Sequence, residues 1–204
     1  MLLTDEQLIA QCGKGSLPAF ELLLRRWDKR ILQYIYRCVG CRDEAEDLRQ
    51  ELFLKIYQQR KSFRPDGNFQ AWMYKIATNL IIDKWVRKTR PPLVSLNEDP
   101  AGELNAWRWS GDDDVRQRAA AREIEDRIHA ALLRLPPDER MALVLRHFEN
   151  MPFKEIADLV QVPESTVKTR VYRALQTLRD EMARLGIAGM DCLPGGWPSA
   201  EVES

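Results

Sequence analysis

Between residues 163 and 178 the chain reads PESTVKTRVYRALQTL, and its reactive chemistry lies away from its apolar stripe. At about 100° per residue, Val167, Val171, Ala174, Leu175 and Leu178 fall on one side of a helix. Ser165, Thr169, Tyr172, Arg173 and Gln176 fall opposite, with Lys168 and Arg170 on the flanks. After Glu164 there is no acid until Asp180, so the outer face is cationic and interleaved with hydroxyl groups. That combination suits a polyanion with hydrogen-bonding edges: fixed charges for phosphates, short polar groups for bases. A merely solvated cationic face would use the same residue types, so the elements around it must decide.

Two helices can be drawn upstream. Arg140–Phe148 carries Met141, Val144, Leu145 and Phe148 at helical spacing, and Phe153–Val160 carries Phe153, Ile156, Ala157 and Val160. Gln161-Val162-Pro163 is a tight turn, with the proline at a first-turn position where a missing N–H is harmless. A short helix, a tight turn and a longer helix with a basic outer face is a helix-turn-helix, whose second helix fits the major groove of DNA. Ser165, Thr166, Thr169, Tyr172 and Arg173 would then face base edges, and Lys168 and Arg170 would meet phosphates. Tyr172, at the edge of the stripe, would also serve as a partly buried core residue.

The rest of the chain is helical by the same criterion. Phe20, Leu23, Leu24, Trp27, Ile31, Tyr34 and Ile35 mark one helix; Ala45, Leu48, Leu52, Phe53 and Ile56 a second; Phe69, Trp72, Ile76, Ala77 and Leu80 a third. Thr4-Asp5-Glu6-Gln7 has the form of a capping box at a helix start. Sustained period-two alternation is absent, so the predicted fold class is all-α. Pro91-Pro92 ends the first block. The expected organisation is a helical domain over 1–90, a linker over 91–122, a second helical domain over 123–187 with a break at Leu135-Pro136-Pro137-Asp138, and a disordered Gly/Pro-rich tail over 188–204. Two domains on a tether is the predicted picture.

Composition bounds the function. The 204 residues are 45% hydrophobic and 30% charged, enough for one large or two small domains. No apolar run approaches the roughly 20 residues of a membrane span, and the acidic start MLLTDEQLIAQC lacks the basic opening of a secretory signal; a cytosolic protein is expected. The net charge of zero conceals a pattern: 17 Lys/Arg against 11 Asp/Glu in residues 1–95, 4 against 8 in 96–125, 10 against 9 in 126–185, and 0 against 3 in the tail. Local fields of this kind steer partners independently of their sum.

The ordered set of motifs TDEQLIAQ, AFELLLRRW, EAEDLRQELFLKIY, SFRPDGNFQAWMYKIATNLIIDKWVRK and LPPDERMALVLRHFENMPFKEIADLVQVPESTVKTRVYRAL resembles the extracytoplasmic-function (ECF) sigma factors of the sigma-70 family over roughly residues 4–185. The resemblance implies a subunit that directs core RNA polymerase to promoters and assists melting, with region 2 in the first domain and region 4 in the second. In EAEDLRQELFLKIY, Asp47, Gln50, Glu51 and Leu54 share the face opposite the apolar stripe; the resemblance implies that they bind core polymerase at the β′ clamp helices, with the β flap as a second contact. In SFRPDGNFQAW, Pro65-Asp66-Gly67 makes a turn. By resemblance Phe63, Arg64, Asn68 and Phe69 capture a flipped base of the minus-ten element, which requires aromatic and polar contacts to replace lost stacking. Phe63 and Phe69 would serve equally as core anchors, and Trp72 is assigned mostly to the core. Lys75, Asn79, Lys84, Arg87 and Lys88 add a cationic surface suited to opened DNA. The groove-reading helix is implied to bind the minus-thirty-five element. The acidic linker (Glu98, Asp99, Glu103, Asp112, Asp113, Asp114) is either a mimic of the RNA polyanion or a solvated spacer. An anti-sigma factor is the further partner that the family implies.

No phosphate-binding loop, dinucleotide fingerprint, nucleophile–histidine set or metal-ligand spacing is recognisable, so no enzyme, cofactor or metal is expected. Cys38-Val39-Gly40-Cys41 is a C-x-x-C, yet two thiols cannot complete a four-ligand zinc site; a redox or metal-sensing pair and ordinary helix-end cysteines both remain open. Two rival functions stand beside the sigma reading. A stand-alone helix-turn-helix regulator leaves the SFRPDGNFQAWMYK loop and the Asp47 face unexplained, and a protein-interaction adaptor would keep its activity after Arg173→Ala and Lys168→Ala.

Overall fold

The computed structural model describes residues 3–64, 66–89 and 126–184, with backbone alone at 88 and 89. The linker, with Trp107 and Trp109, and the tail with Cys192 lie outside the described residues. Every regular element among the described residues is helical. In chain order these are α1 (Asp5–Gly13), α2 (Leu17–Val39), α3 (Arg42–Gln59), a 3₁₀ turn (Arg60–Ser62) and α4 (Phe69–Thr89). After the linker come α5, helical over 126–133, then α6 (Pro137–Leu143), α7 (Phe153–Val160) and α8 (Glu164–Arg184).

Local chemistry sets the ends. The predicted capping box forms: the Gln7 amide N–H donates to the Thr4 hydroxyl at 3.3 Å, and the Gln7 side chain accepts from the Thr4 N–H at 3.0 Å. Ser16 caps α2 by accepting from the Ala19 N–H at 3.4 Å. Gly40 closes α2 with φ 84°, the left-handed geometry that glycine adopts without steric cost. α6 starts on Pro137, so the expected break at Leu135-Pro136-Pro137-Asp138 is where one helix ends and the next begins.

The first half buries Leu8, Ile9 and Cys12 of α1; Leu23, Trp27, Ile31, Tyr34 and Ile35 of α2; Leu48, Leu52 and Ile56 of α3; and Phe69, Met73, Ala77, Leu80 and Ile81 of α4. Tyr34 and Thr78 share a hydrogen bond of 2.8 Å inside this core, which satisfies both hydroxyls. The second half closes around Leu132, Leu145, Ile156, Val167, Val171, Leu175 and Leu178.

Three features depart from the sequence expectation. The helix drawn over Arg140–Phe148 is α only to Leu143; Val144–Phe148 widens into a π turn, with the Glu149 N–H bonded to the Val144 carbonyl at 3.2 Å. Trp72 and Ile76 are only partly buried, whereas neighbouring Met73 and Tyr74 are sealed. The third feature is that the two halves pack against each other. The π turn and α7 pack on α2 and α4, so α4 is covered on two sides.

Candidate nucleic-acid and polymerase interfaces

α8 turns its apolar stripe fully inward, with Val167, Val171, Ala174, Leu175 and Leu178 at 3% exposure or less. Ser165, Lys168, Thr169, Tyr172 and Arg173 stand in solvent; Thr166 and Arg170 are half-buried. Tyr172 is 57% exposed, which resolves its position: it belongs to the outer face, not the core. The cations differ in how they are held. Lys168 pairs with Glu164 at 3.0 Å and Arg170 with Asp138 at 3.1 Å. Arg173 has no ion pair among the described residues, and it projects from the middle of the face. The Thr169 hydroxyl donates to the Ser165 carbonyl at 2.9 Å, a local bond that a base edge can replace.

The loop before α4 places aromatic and polar groups together. The Gly67 N–H bonds the Arg64 carbonyl at 2.9 Å, and a side chain at Gly67 would press within 3.1 Å of that carbonyl and 3.4 Å of the Phe63 ring. Pro65 lies outside the described residues. Asn68 caps α4 by accepting from the Ala71 N–H at 3.0 Å, while the side chains of Arg64 and Asn68 remain exposed. Phe63 is half-buried and meets Trp72 edge-on at 5.4 Å. Phe69 is a correction: at 0% exposure, packed against Trp27, Phe63 and Trp72, it cannot stack on a base and acts as the anchor beneath the loop. From there Lys75 and Asn79 are neighbours on one exposed face of α4, and Arg87 is exposed two turns further on. Lys84 is half-buried with Glu44 at 3.9 Å, and the Lys88 side chain lies outside the described residues.

On α3, Asp47, Gln50, Glu51 and Leu54 are all exposed, Leu54 at 56%. Leu54 is a single exposed apolar side chain in an otherwise polar and acidic face. The C-x-x-C divides: Cys41 is exposed, but Cys38 is fully buried and its thiol is pushed up to about 12 by that burial. A thiol held protonated is a poor nucleophile and a poor metal ligand. Among the described residues no group of three or more His, Cys, Asp or Glu side chains could hold a metal ion, and no helix is long and apolar enough to cross a membrane.

The contact between the halves was invisible to motif reading. Glu149, 1% exposed at its side chain, receives the Arg30 Nε–H at 2.8 Å and the Tyr74 hydroxyl. Tyr36 stacks on His129 with centroids 4.2 Å apart, and Arg37 lies over Phe148 at 4.3 Å. Burial between the halves holds the His129 imidazole below its usual range. A signal existed: Trp72, Met73 and Tyr74 put large apolar groups around α4 instead of on one stripe, which marks a helix covered on more than one side.

Residues 23–91 match the model of sigma-70 region 2, and residues 125–178 that of sigma-70 region 4. The chain is 36% identical over 176 residues to the RNA polymerase sigma-H factor of Pseudomonas aeruginosa, covering 85% of this chain and 91% of that one. It is 33% identical over 181 residues to the ECF RNA polymerase sigma factor SigW of Bacillus subtilis, covering 87% and 96%. In fold it resembles CnrH in complex with the cytosolic domain of CnrY, with a TM-score of 0.63 at 23% identity over 91% of this chain and 99% of the other. A similar likeness holds for the sigma factor RpoE of Bartonella quintana, solved with the anti-sigma factor NepR: TM-score 0.60 at 22% identity, covering 80% and 96%. With regions 2 and 4 both present in order, the chain belongs to the extracytoplasmic-function sigma factors of the sigma-70 family, the RNA polymerase subunits that direct promoter-specific transcription.

Proposed function

We propose that the chain carries out this function through three of its surfaces, in the cytoplasm and without chemistry of its own. The exposed face of α8 supports it most directly: a helix about 10–12 Å across fits a major groove about 12 Å wide, and Ser165, Thr169, Tyr172 and Arg173 lie where base edges would be. This is the minus-thirty-five reader, within a domain spanning 123–187. In the domain spanning 1–90, Phe63, Arg64 and Asn68 receive a flipped minus-ten base over the Phe69 anchor. Lys75, Asn79, Lys84, Arg87 and Lys88 hold the separated strand. Asp47, Gln50, Glu51 and Leu54 grip the β′ clamp helices, and region 4 meets the β flap. An anti-sigma factor is the inhibitory partner, as for the sigma factor RpoE of Bartonella quintana, which was solved with the anti-sigma factor NepR.

The test is run-off transcription across a fragmented genome with purified chain and core polymerase. Initiation at promoters that core alone ignores is the expected result. Footprints on those promoters without polymerase, as strong as with it, would instead favour a stand-alone regulator. A second expectation concerns docking. Leu54→Ala removes an exposed side chain, so thermal stability should stay within about 0.5 kcal/mol of wild type. Affinity for core polymerase should fall about tenfold, as for a moderate interface anchor.

A further inference from the structure

A site for unpaired DNA joins an aromatic platform to a cationic track that follows the backbone. The loop before α4 has its platform in Phe63, and α4 supplies a track on one side of it. Starting at Phe69, α4 carries Lys75 and Arg87 away from the loop. At the loop's other end the geometry is set by α1. The first turn of α1 is tied to the start of α4, where Glu6 accepts from the Phe69 N–H at 3.3 Å. Its last turn is tied to the 3₁₀ turn, where the Arg60 Nε–H donates to the Cys12 carbonyl at 3.1 Å. Cys12 lies six residues along the helix from Glu6, a rise of about 9 Å. α1 therefore bridges the two ends of the loop.

Two lysines stand at the end remote from α4. Lys14 follows Gly13, where a Cβ would lie 3.5 Å from the Arg60 carbonyl, and Lys61 follows Arg60. Both side chains are exposed, and neither has a hydrogen bond or ion pair among the described residues. Arg64, three residues beyond Lys61, is also exposed and without an ion pair among them. The acids of α1 are engaged elsewhere. Asp5 receives Arg26 at 2.8 Å and the Trp27 indole N–H at 2.9 Å, and Glu6 is taken by Phe69. Asp66, the loop's one acid, forms no ion pair among the described residues. Arg60 itself is half-buried with its guanidinium 3.9 Å from the centre of the Tyr57 ring, so it straps the turn rather than facing outward. By contrast, Arg26, Arg42, Arg49 and Lys55 on α2 and α3 are each paired with a carboxylate. Neighbouring cations with no acid between them make a field that a polyanion relieves.

Resting on the base-capture reading above, we propose that Lys14 and Lys61 form a second phosphate site. It holds the backbone of the unpaired strand where that strand leaves the captured base on the side away from α4. The ligand is the phosphodiester chain, not a base, and the strand is thereby gripped on both sides of the loop.

The experiment uses the full chain bound to core polymerase, on forked DNA whose minus-ten strand is already unpaired, so that melting does not enter. Wild type is compared with Lys14→Gln, Lys61→Gln and the double variant, all of which keep the fold because the side chains replaced are exposed and bond nothing described. Each single variant should bind about threefold more weakly. The double variant should reduce the slope of log affinity against log salt by about 1.4, at roughly 0.7 for each phosphate of a single strand. Neutral methylphosphonates, placed one at a time beside the captured base, locate the contact. On one side of that base they should weaken wild type and leave the double variant unaffected. An unchanged salt slope, or equal weakening of wild type and double variant at every methylphosphonate, would overturn the proposal. An abasic nucleotide at the captured position tests the reading beneath it: no loss in wild type would overturn base capture itself, and this site with it.

Discussion

Phe69→Ala should lower the stability of the region 2 half by about 3–5 kcal/mol, the usual cost of emptying a fully buried aromatic site. The ring has 0% exposure and lies about 6 Å, centroid to centroid, from Phe63, Trp27 and Trp72, three rings from three segments of the chain. It also opens α4, and its N–H donates to Glu6 of α1 at 3.3 Å, so the vacated space cannot be refilled by a single small shift. Phe63→Ala and Asn68→Ala make the contrast. Phe63 is half-buried, and Asn68 supplies a helix cap worth about 1 kcal/mol, so both variants should remain folded at ambient temperature. Their loss should appear in promoter opening, read as reduced permanganate reactivity of the minus-ten strand with core binding intact. Urea titration by circular dichroism checks the first part. A Phe69→Ala midpoint close to that of Phe63→Ala would mean that the Phe69 ring does not anchor the loop.

The contrast between these phenylalanines shows where the sequence was legible and where it was not. In SFRPDGNFQAW both are aromatic, both flank a turn, and no local rule says which points inward. The decision belongs to Trp27, more than forty positions earlier in the chain. By comparison, α7 over Phe153–Val160 and the α8 stripe were readable because their signal is periodic within one helix. The Thr4–Gln7 cap was readable because its partners are three residues apart. Glu149 had no such signature. It comes after a helix drawn as regular, and its partners Arg30 and Tyr74 are 119 and 75 residues away. A π turn adds one residue to the hydrogen-bonded ring and so rotates the chain beyond it; hydrophobic periodicity over Arg140–Phe148 cannot register that. Thus each domain was legible from its own pattern, while the relation between the domains was written in three side chains that look like ordinary surface or core residues.

Arg173→Ala should weaken promoter binding by the polymerase complex by about 1–3 kcal/mol and relax preference at one base pair of the minus-thirty-five element. Lys168, Arg170 and Arg173 carry the cationic character of the first half of α8, and their present bonds predict different effects. Arg170 is engaged by Asp138 at 3.1 Å and is 27% exposed, so part of its interaction with a phosphate is spent on leaving that partner. Lys168 must likewise exchange Glu164, but it sits at 50% exposure on a flank, where surface pairs of this kind contribute little. Arg173 is exposed and has no ion pair to break among the described residues. Its planar guanidinium can meet two acceptors on one guanine edge, which a lysine cannot copy. Lys168→Ala should therefore weaken all promoters alike and reduce the slope of log affinity against log salt by about 1. Arg173→Lys should retain most of that salt slope while losing discrimination at the single base pair. Binding titrations of each variant with core polymerase, on promoters altered one position at a time and at several salt concentrations, separate the two roles. Equal losses on every altered promoter for Arg173→Ala would place this arginine on the phosphate backbone and assign base reading to Ser165, Thr169 and Tyr172.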